Sequence, residues 1–330
     1  MSNARQLLTI AIPTYNRATM IGPLLAALLE QMHDEKRVEL LVSDNASTDG
    51  TREVIRTYQN SGLAIRYIRN GTNLGADRNI LQCFEQAHGQ YVWIFSDDDL
   101  ILPGSLQRIL SALTLQLYDI ICIRAYPLVD GCVQYRQIKS VADLEMTRAE
   151  DFARYVHVYL TFISGIIVNK ERIDSVTHRP FDSLLGTNLA HLGPFITALN
   201  HQRKSLFIRD PLIAARGNSN VGYALYSVFG TTLASITSEW LDSKTVQQAI
   251  INGVIRNFFP FWILLTRETL ASSVPEDPHM VLRSCFRYNI RYWVFDYPIY
   301  ALPLPLARIW LLFVRVINKF DAVLEGVLAG

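Results

Sequence analysis

Five short apolar runs, at residues 7–12, 38–43, 64–68, 91–95 and 118–123, recur along the first 125 residues, and polar turns and helical patterns separate them. Runs of this length read as buried strands, and the segments 19–32, 51–60, 75–88 and 103–115 between them read as helices. Such alternation demands crossover connections, so it predicts an α/β fold: a mostly parallel twisted sheet with flanking helices. The second helix has a clear start, because Ser47-Thr48-Asp49-Gly50-Thr51 offers several N-cap oxygens. Open sheets of this kind bind ligands outside the carboxyl ends of their strands, so the turns after each run are where chemistry is expected.

The fourth run, Tyr91-Val92-Trp93-Ile94-Phe95, ends in Ser96-Asp97-Asp98-Asp99. Adjacent carboxylates repel one another by roughly a few kcal/mol at intermediate dielectric. A hard divalent cation, completed by phosphate oxygens, would offset that repulsion. The alternative is an acidic turn that caps the helix starting near Pro103; its place directly after a buried strand favours the cation. Pro13-Thr14-Tyr15-Asn16-Arg17 follows the first run and presents an aromatic ring and a guanidinium. After the second run, Asp44 is placed to accept hydrogen bonds from a base or ribose, while Asp49 is placed to cap a helix. Asn73–Asn79 follows the third run and sets Arg78 near a helix start, a pairing that suits a diphosphate. Four polar clusters after four successive strands would converge on one sheet edge.

A net charge of +1 argues against a general nucleic-acid binder. Half of the residues are hydrophobic and 18% are charged, an apolar balance. Cys83, Cys122, Cys132 and Cys285 show no metal-ligand spacing and read as reduced thiols of a cytoplasmic protein. The apolar run at 7–12 is too short for a signal peptide, so export is not expected. Residues 126–150 are weakly patterned. Residues 159–168 are apolar and β-prone, with Gly165 pointing to a close backbone approach. Arg216–Gly222 reads as a polar loop in which Arg216 would pair with phosphate.

From about residue 222 the chain reads as helical and aromatic-rich. No stretch of roughly 20 apolar residues is free of charge and proline, which argues against a membrane span. Arg308, Arg315 and Lys319 interleave with Trp310, Leu311, Leu312, Phe313 and Val316. That pattern fits an interfacial helix on a membrane surface; a core helix or a contact in a homo-oligomer is the alternative.

Ile12-Pro13-Thr14-Tyr15-Asn16-Arg17, Ser43–Thr51, Asn73–Asn79 and Ser96–Leu106, in that order over about the first 110 residues, resemble the family 2 glycosyltransferases of the GT-A fold. The Asn-Leu-Gly-x-Asp-Arg-Asn and Tyr-x-Trp-Ile-Phe segments are most similar to abequosyltransferase-like bacterial enzymes of O-antigen and surface-polysaccharide assembly. The resemblance implies a catalytic domain over 1–221, with a donor half (1–125) and an acceptor half (126–221), followed by a helical region over 222–330. It implies that Pro13, Tyr15 and Arg17 line the nucleotide pocket, that Asp44 binds the base, and that Arg78 meets the base or diphosphate edge. It assigns Asp98 and Asp99 to the ribose and the metal-bridged diphosphate. Ser96 stands where the family's Asp-x-Asp-Asp pattern has its first Asp, so Asp99 ranks first and Asp98 second as ligands of a divalent cation (Mn or Mg), and Asp97 is a bystander. Arg216 heads a loop that in relatives folds over the diphosphate.

In relatives the catalytic base belongs to a Glu-Asp-like motif that follows a segment resembling Phe162-Ile163-Ser164-Gly165-Ile166. The corresponding region here, Phe181–Leu192, has no Glu-Asp pair. His191, with an unperturbed pKa near 6.5, and Asp182 are the candidates. The expected activity is inverting transfer of a sugar from a nucleotide-diphosphate donor to a lipid-linked (polyprenyl diphosphate) saccharide, by an enzyme peripheral to the cytoplasmic face of a bacterial membrane. A processive synthase is set aside because its Gln-x-x-Arg-Trp motif is absent. A non-catalytic nucleotide-sugar-binding scaffold on the same fold is the alternative, resting on the altered acidic run and the missing Glu-Asp pair.

Overall fold

The computed structural model describes residues 6–135, 142–177, 179–217, 223–269 and 276–328, with side chains placed up to residue 318. Asn218–Gly222 of the polar loop and the side chain of Lys319 lie outside the described residues. The chain divides into two compact units. One holds residues 1–152 and 159–217, the other 153–158 and 218–330.

In the first unit, β1 (Leu8–Thr14), β2 (Val38–Asp44), β3 (Ile65–Arg69) and β4 (Tyr91–Ile94) alternate with α1 (Ile21–Gln31), α2 (Thr51–Asn60) and α3 (Ala76–Gln86). They pair in parallel in the order β3-β2-β1-β4. β2 is buried along its whole length, whereas β3 at the edge is only half-buried, which is why β3 reads Ile-Arg-Tyr-Ile-Arg. Leu8, Ile10 and Ile12 of β1 pack with Leu24, Leu25 and Leu28 of α1, Trp93 and Phe95. Each such fully buried aliphatic side chain contributes about 1.5–3 kcal/mol.

The chain continues through β5 (Leu100–Ile101), α4 (Ser105–Leu115), β6 (Ile120–Val129), β7 (Cys132–Val133), β8 (Leu144–Met146) and α5 (Ala149–Val156). β9 (Ile166–Asn169), α6 (Lys170–Val176), α7 (Leu192–Asn200) and β10 (Ser205–Arg216) complete the series. β9 is antiparallel to both β4 and β6, so the mostly parallel sheet is mixed around this strand. The cause lies just before β9. Residues 163–165 form a 3-10 turn at the carboxyl end of β4, where the Ser164 hydroxyl accepts from the Ser96 N–H (2.9 Å). A strand that starts at that end has to run back along β4. Only Ile166–Asn169 of the β-prone stretch is strand. Gly165 does permit a close approach: a Cβ there would stand 2.6 Å from the Phe162 ring.

The second unit is helical, built from α8 (Leu233–Trp240), α9 (Lys244–Asn257), α10 (Phe259–Thr269), α11 (Pro278–Phe286), α12 (Tyr297–Ala301) and α13 (Leu304–Leu328). Turns of π-helix cover Ser227–Thr232 and Tyr292–Asp296. Its core includes Tyr226, Phe259, Phe286, Tyr292 and Ile299. Asp296 is fully buried among them, with neither carboxylate oxygen hydrogen-bonded, and burial drives its pKa well above the usual range. Residues 244–269 are long and apolar enough to cross a membrane, but half of their most apolar 18 residues are buried within the protein and α9 gives way to α10 at Phe258.

Candidate active site

Parallel pairing sets Thr14, Asp44 and Arg69 in one row at the carboxyl ends of β1, β2 and β3. The following turns are cross-linked by short polar side chains. Asn16, in a left-handed conformation (φ 54°), accepts the Thr48 N–H through Oδ1 (2.8 Å). Asn45 donates to Asn73 Oδ1 (2.7 Å) and accepts the Leu74 N–H (2.9 Å), which ties the turn after β2 to the turn after β3. Asn79 accepts from the Ser43 hydroxyl (2.7 Å) and donates to the Ser43 carbonyl (2.9 Å). Asp49 accepts the Thr51 N–H (3.0 Å) and the Ala18 N–H (3.1 Å), holding the start of α2 against the turn after β1.

These turns enclose a cavity of about 330 Å³ whose lining includes Pro13, Tyr15, Arg17, Asn73, Gly75 and Asp97. Tyr15 is 42% exposed and Arg17 45%, so an aromatic face and a guanidinium are both open to a ligand. Of the residues expected to meet the donor, Pro13, Tyr15 and Arg17 come together here. Asp97, read from the sequence as a bystander, is in the lining as well.

Asp44 lies beneath, with no exposed surface. Its carboxylate accepts the Ser47 N–H (2.8 Å) and the Tyr67 hydroxyl, and Arg69 Nε stands 3.7 Å away. Arg78 is turned from the cavity lining. Its guanidinium makes a two-pronged pair with Glu85 (2.8 and 2.7 Å) and reaches Asp182 Oδ1 at 3.4 Å.

The acidic run is differentiated by its partners. The Thr14 hydroxyl donates to Asp97 Oδ2 (2.6 Å), and Arg17 Nε stands 3.7 Å from Asp97 Oδ1. The Ser96 hydroxyl donates to Asp98 Oδ1 (2.6 Å). The Ser164 hydroxyl donates to Asp99 Oδ2 (2.6 Å), and the Arg216 N–H donates to Asp99 Oδ1 (2.9 Å). Asp97 and Asp99 are buried, whereas Asp98 is half-buried. Burial lifts the carboxyls of Asp97 to about 6 and of Asp99 to about 7, with the neighbouring Asp98 charge adding to both.

Negative charge thus exceeds positive charge around the run. Among the described residues no three His, Cys, Asp or Glu side chains gather to hold a metal by themselves. One or two carboxylates completed by water and phosphate oxygens is the usual magnesium arrangement, and the run fits it. Asp98 is the more available ligand, since both oxygens of Asp99 are already engaged.

The two candidate bases differ sharply in setting. His191 is buried; its Nε2 lies 3.0 Å from the Thr161 carbonyl, which only accepts, so Nε2 carries the proton. Nδ1 is enclosed with no hydrogen-bond partner, and burial lowers the imidazole to about 4. Asp182 is 65% exposed, beside Arg78. Asp77 was not singled out, yet it accepts the Asn188 N–H (3.0 Å) and the Ala190 N–H (3.4 Å), which fixes the loop leading to His191.

The family model for glycosyl transferase family 2 matches residues 9–170. The abequosyltransferase RfbV of Salmonella typhimurium is 32% identical over 228 residues, 65% of this chain and 68% of that protein. The chain belongs to glycosyl transferase family 2. This transferase is also 31% identical, over 31% of its length and 33% of the other protein, to a Campylobacter jejuni GalNAc(5)-diNAcBac-PP-undecaprenol beta-1,3-glucosyltransferase. Among solved structures, S. aureus TarS 1–349 in complex with UDP-GlcNAc shares the fold (TM-score 0.59, 17% identity, 94% of this chain and 89% of that one). A mannosyltransferase from Pyrobaculum calidifontis, in complex with GDP-Man and Mn2+, is similar over 96% of this chain and 88% of that one (TM-score 0.52, 16% identity). The mixed sheet with flanking helices is therefore the GT-A-like fold expected from the motifs.

Thr14, Asn45, Asn79 and Ser164 were missed as site residues because each acts through a single short hydroxyl or amide side chain. All four did stand inside quoted segments, without a role assigned to any of them.

Proposed function

We propose that this transferase moves a sugar, with inversion, from a nucleoside-diphosphate donor to a lipid-linked (polyprenyl diphosphate) saccharide during bacterial surface-polysaccharide assembly of the O-antigen kind. The cavity at the carboxyl ends of β1–β4, with Tyr15, Arg17 and Asp97 in its lining, carries this reading. Tyr15 offers a stacking face to the base, and the Asn45–Asn73 bond holds the cavity wall. Arg17 faces Asp97 from the open side and would meet phosphate oxygens. Asp98, supported by Asp99, would hold a Mn or Mg ion, which when bound neutralises charge on the diphosphate leaving group. Asp182 is the base we favour over His191. It is open to an acceptor hydroxyl, and Arg78 Nη1 lies 3.4 Å from its Oδ1. Arg216, whose amide is anchored on Asp99, would carry its guanidinium to the diphosphate.

We place the enzyme at the inner face of the cell membrane. Leu306, Ile309, Leu312, Phe313 and Val316 of α13 are all about half exposed or more, with Arg308 and Arg315 interspersed. Ala307, Leu311 and Val314 on the other side are buried, so deleting the helix would also damage the core. Ile309→Ser with Leu312→Ser is the cleaner test: the protein should leave the membrane fraction, and unchanged partitioning would sink the placement. For the reaction, purified protein is incubated with nucleotide sugars, a polyprenyl-diphosphate saccharide and Mn2+ or Mg2+. Metal-dependent product is expected; no turnover with any donor would favour the scaffold reading.

A further inference from the structure

A second cavity, of about 510 Å³, lies wholly within the helical unit and shares no residue with the site above. Arg154, Arg256 and Arg291 line it, and its described lining holds no carboxylate. Among the described residues neither Arg154 nor Arg291 has an ion-pair partner. Arg256 Nη2 donates to Asn318 Oδ1 (2.9 Å), and Asn318 donates back to the Arg256 carbonyl (3.0 Å), so that guanidinium is oriented. The amide side chains of Gln248, Asn252 and Asn257 add further donors to the wall.

His157 belongs to the same lining and has a backbone φ of 33°, the left-handed region that non-glycine residues avoid. Gly253 makes this placement possible, since a Cβ there would stand 2.2 Å from His157 Cβ. Strain held by surrounding packing clusters at ligand sites. Burial, and then the charge of Arg256, lowers the His157 imidazole to about 4, so it presents a neutral ring.

We infer that this cavity binds the phosphate group of a lipid. Guanidinium forks suit phosphate oxygens better than any other common anion except carboxylate. The attached chain would lie along α13, which contributes Asn318 to the lining and exposes Ile309, Leu312, Phe313 and Val316 to solvent. Two lipids supply that chemistry, an anionic phospholipid and an isoprenoid diphosphate; the second rests on the acceptor class proposed above, the first does not.

Binding of inorganic pyrophosphate to the full-length protein is measured by calorimetry in EDTA, where the metal-free acidic run repels it. Arg154→Gln with Arg291→Gln should weaken binding about tenfold. Arg154→Lys with Arg291→Lys, which keeps the charge but not the fork, should weaken binding less than the Gln pair does, at unchanged melting temperature. The Gln variant should also lose either flotation with phosphatidylglycerol vesicles, against phosphatidylcholine controls, or binding of farnesyl diphosphate; the probe that is lost names the lipid. Unchanged pyrophosphate affinity in the Gln variant, no pyrophosphate binding by the parent protein, or retention of both lipid probes would overturn the inference. Donor turnover is read separately, so failure of the transferase mechanism and failure of this site are distinguishable.

Discussion

The backbone N–H of Arg216 donates to Asp99 Oδ1 at 2.9 Å, tying the last residue of β10 to the end of the acidic run. Ser164 holds the other oxygen of the same carboxylate. Asp99 is thereby a fastener that joins β4, the turn before β9 and β10, whereas Asp98 is held by the Ser96 hydroxyl and stays half-buried.

Removing the Ser164 hydroxyl tests that fastening. Ser164→Ala leaves Asp99 Oδ2 without a donor and the Ser96 N–H without an acceptor. A loss of about 1–3 kcal/mol in denaturant unfolding is expected, with transfer falling at the same time.

Asp98→Ala should behave in the opposite way. Its recorded side-chain partner is the Ser96 hydroxyl, so stability should change by about 0.5 kcal/mol or less. Turnover should fall about a hundredfold, with a higher metal requirement. Metal titrations of activity beside melting curves would show both; an Asp98→Ala protein with normal metal dependence would rule out its ligand role.

The base assignment separates in kinetics. Asp182→Asn is expected to lower kcat about a hundredfold or more with little change in donor KM. His191→Gln should keep kcat within about threefold while costing about 1–2 kcal/mol of stability, because it disturbs a buried contact with Thr161. The reverse pattern would restore His191 as the base.

His191 also sets a pH dependence of stability. Its folded pKa is about 4, against an ordinary 6.5. Between those values the unfolded chain binds a proton that the folded chain refuses. Stability from this group is complete above pH 6.5 and is lost as pH falls towards 4. His191→Gln should flatten that part of the curve in pH-dependent urea melts.

Asp296 works with the other sign. Its folded pKa is raised, so its contribution is whole below the ordinary carboxyl range and is lost as pH rises through the folded value. Asp296→Asn should therefore flatten the fall in stability that sets in as pH rises above the ordinary carboxyl range, by at most about 1.4 kcal/mol per pH unit. An unchanged slope would mean that the carboxyl finds a partner in solution.

The donor half was legible because its signals are local. β1 to β4 are apolar runs, and a parallel sheet brings their ends to one edge whatever the side chains do next. Arg17 and Tyr15 could be placed from position alone. The division of labour within Asp97–Asp99 could not, since it depends on Thr14, Ser164 and Arg216, which lie 83, 65 and 117 residues away in the chain. The antiparallel β9 was hidden for a similar reason: its direction follows from where the Ser164 turn docks. The exchange between Arg78 and Asp182, 104 residues apart, likewise has no trace in either motif.

Residues 153–158 sit in the helical unit although the chain on both sides of them belongs to the other unit. The backbone therefore changes unit three times, and no single cut yields two whole pieces. A fragment ending at residue 217 would carry Ala153, Val156 and Val158 stripped of the neighbours that bury them. Recombination that swaps the helical unit between such transferases by one crossover would split that unit, and exchange has to carry the short internal segment along with the tail.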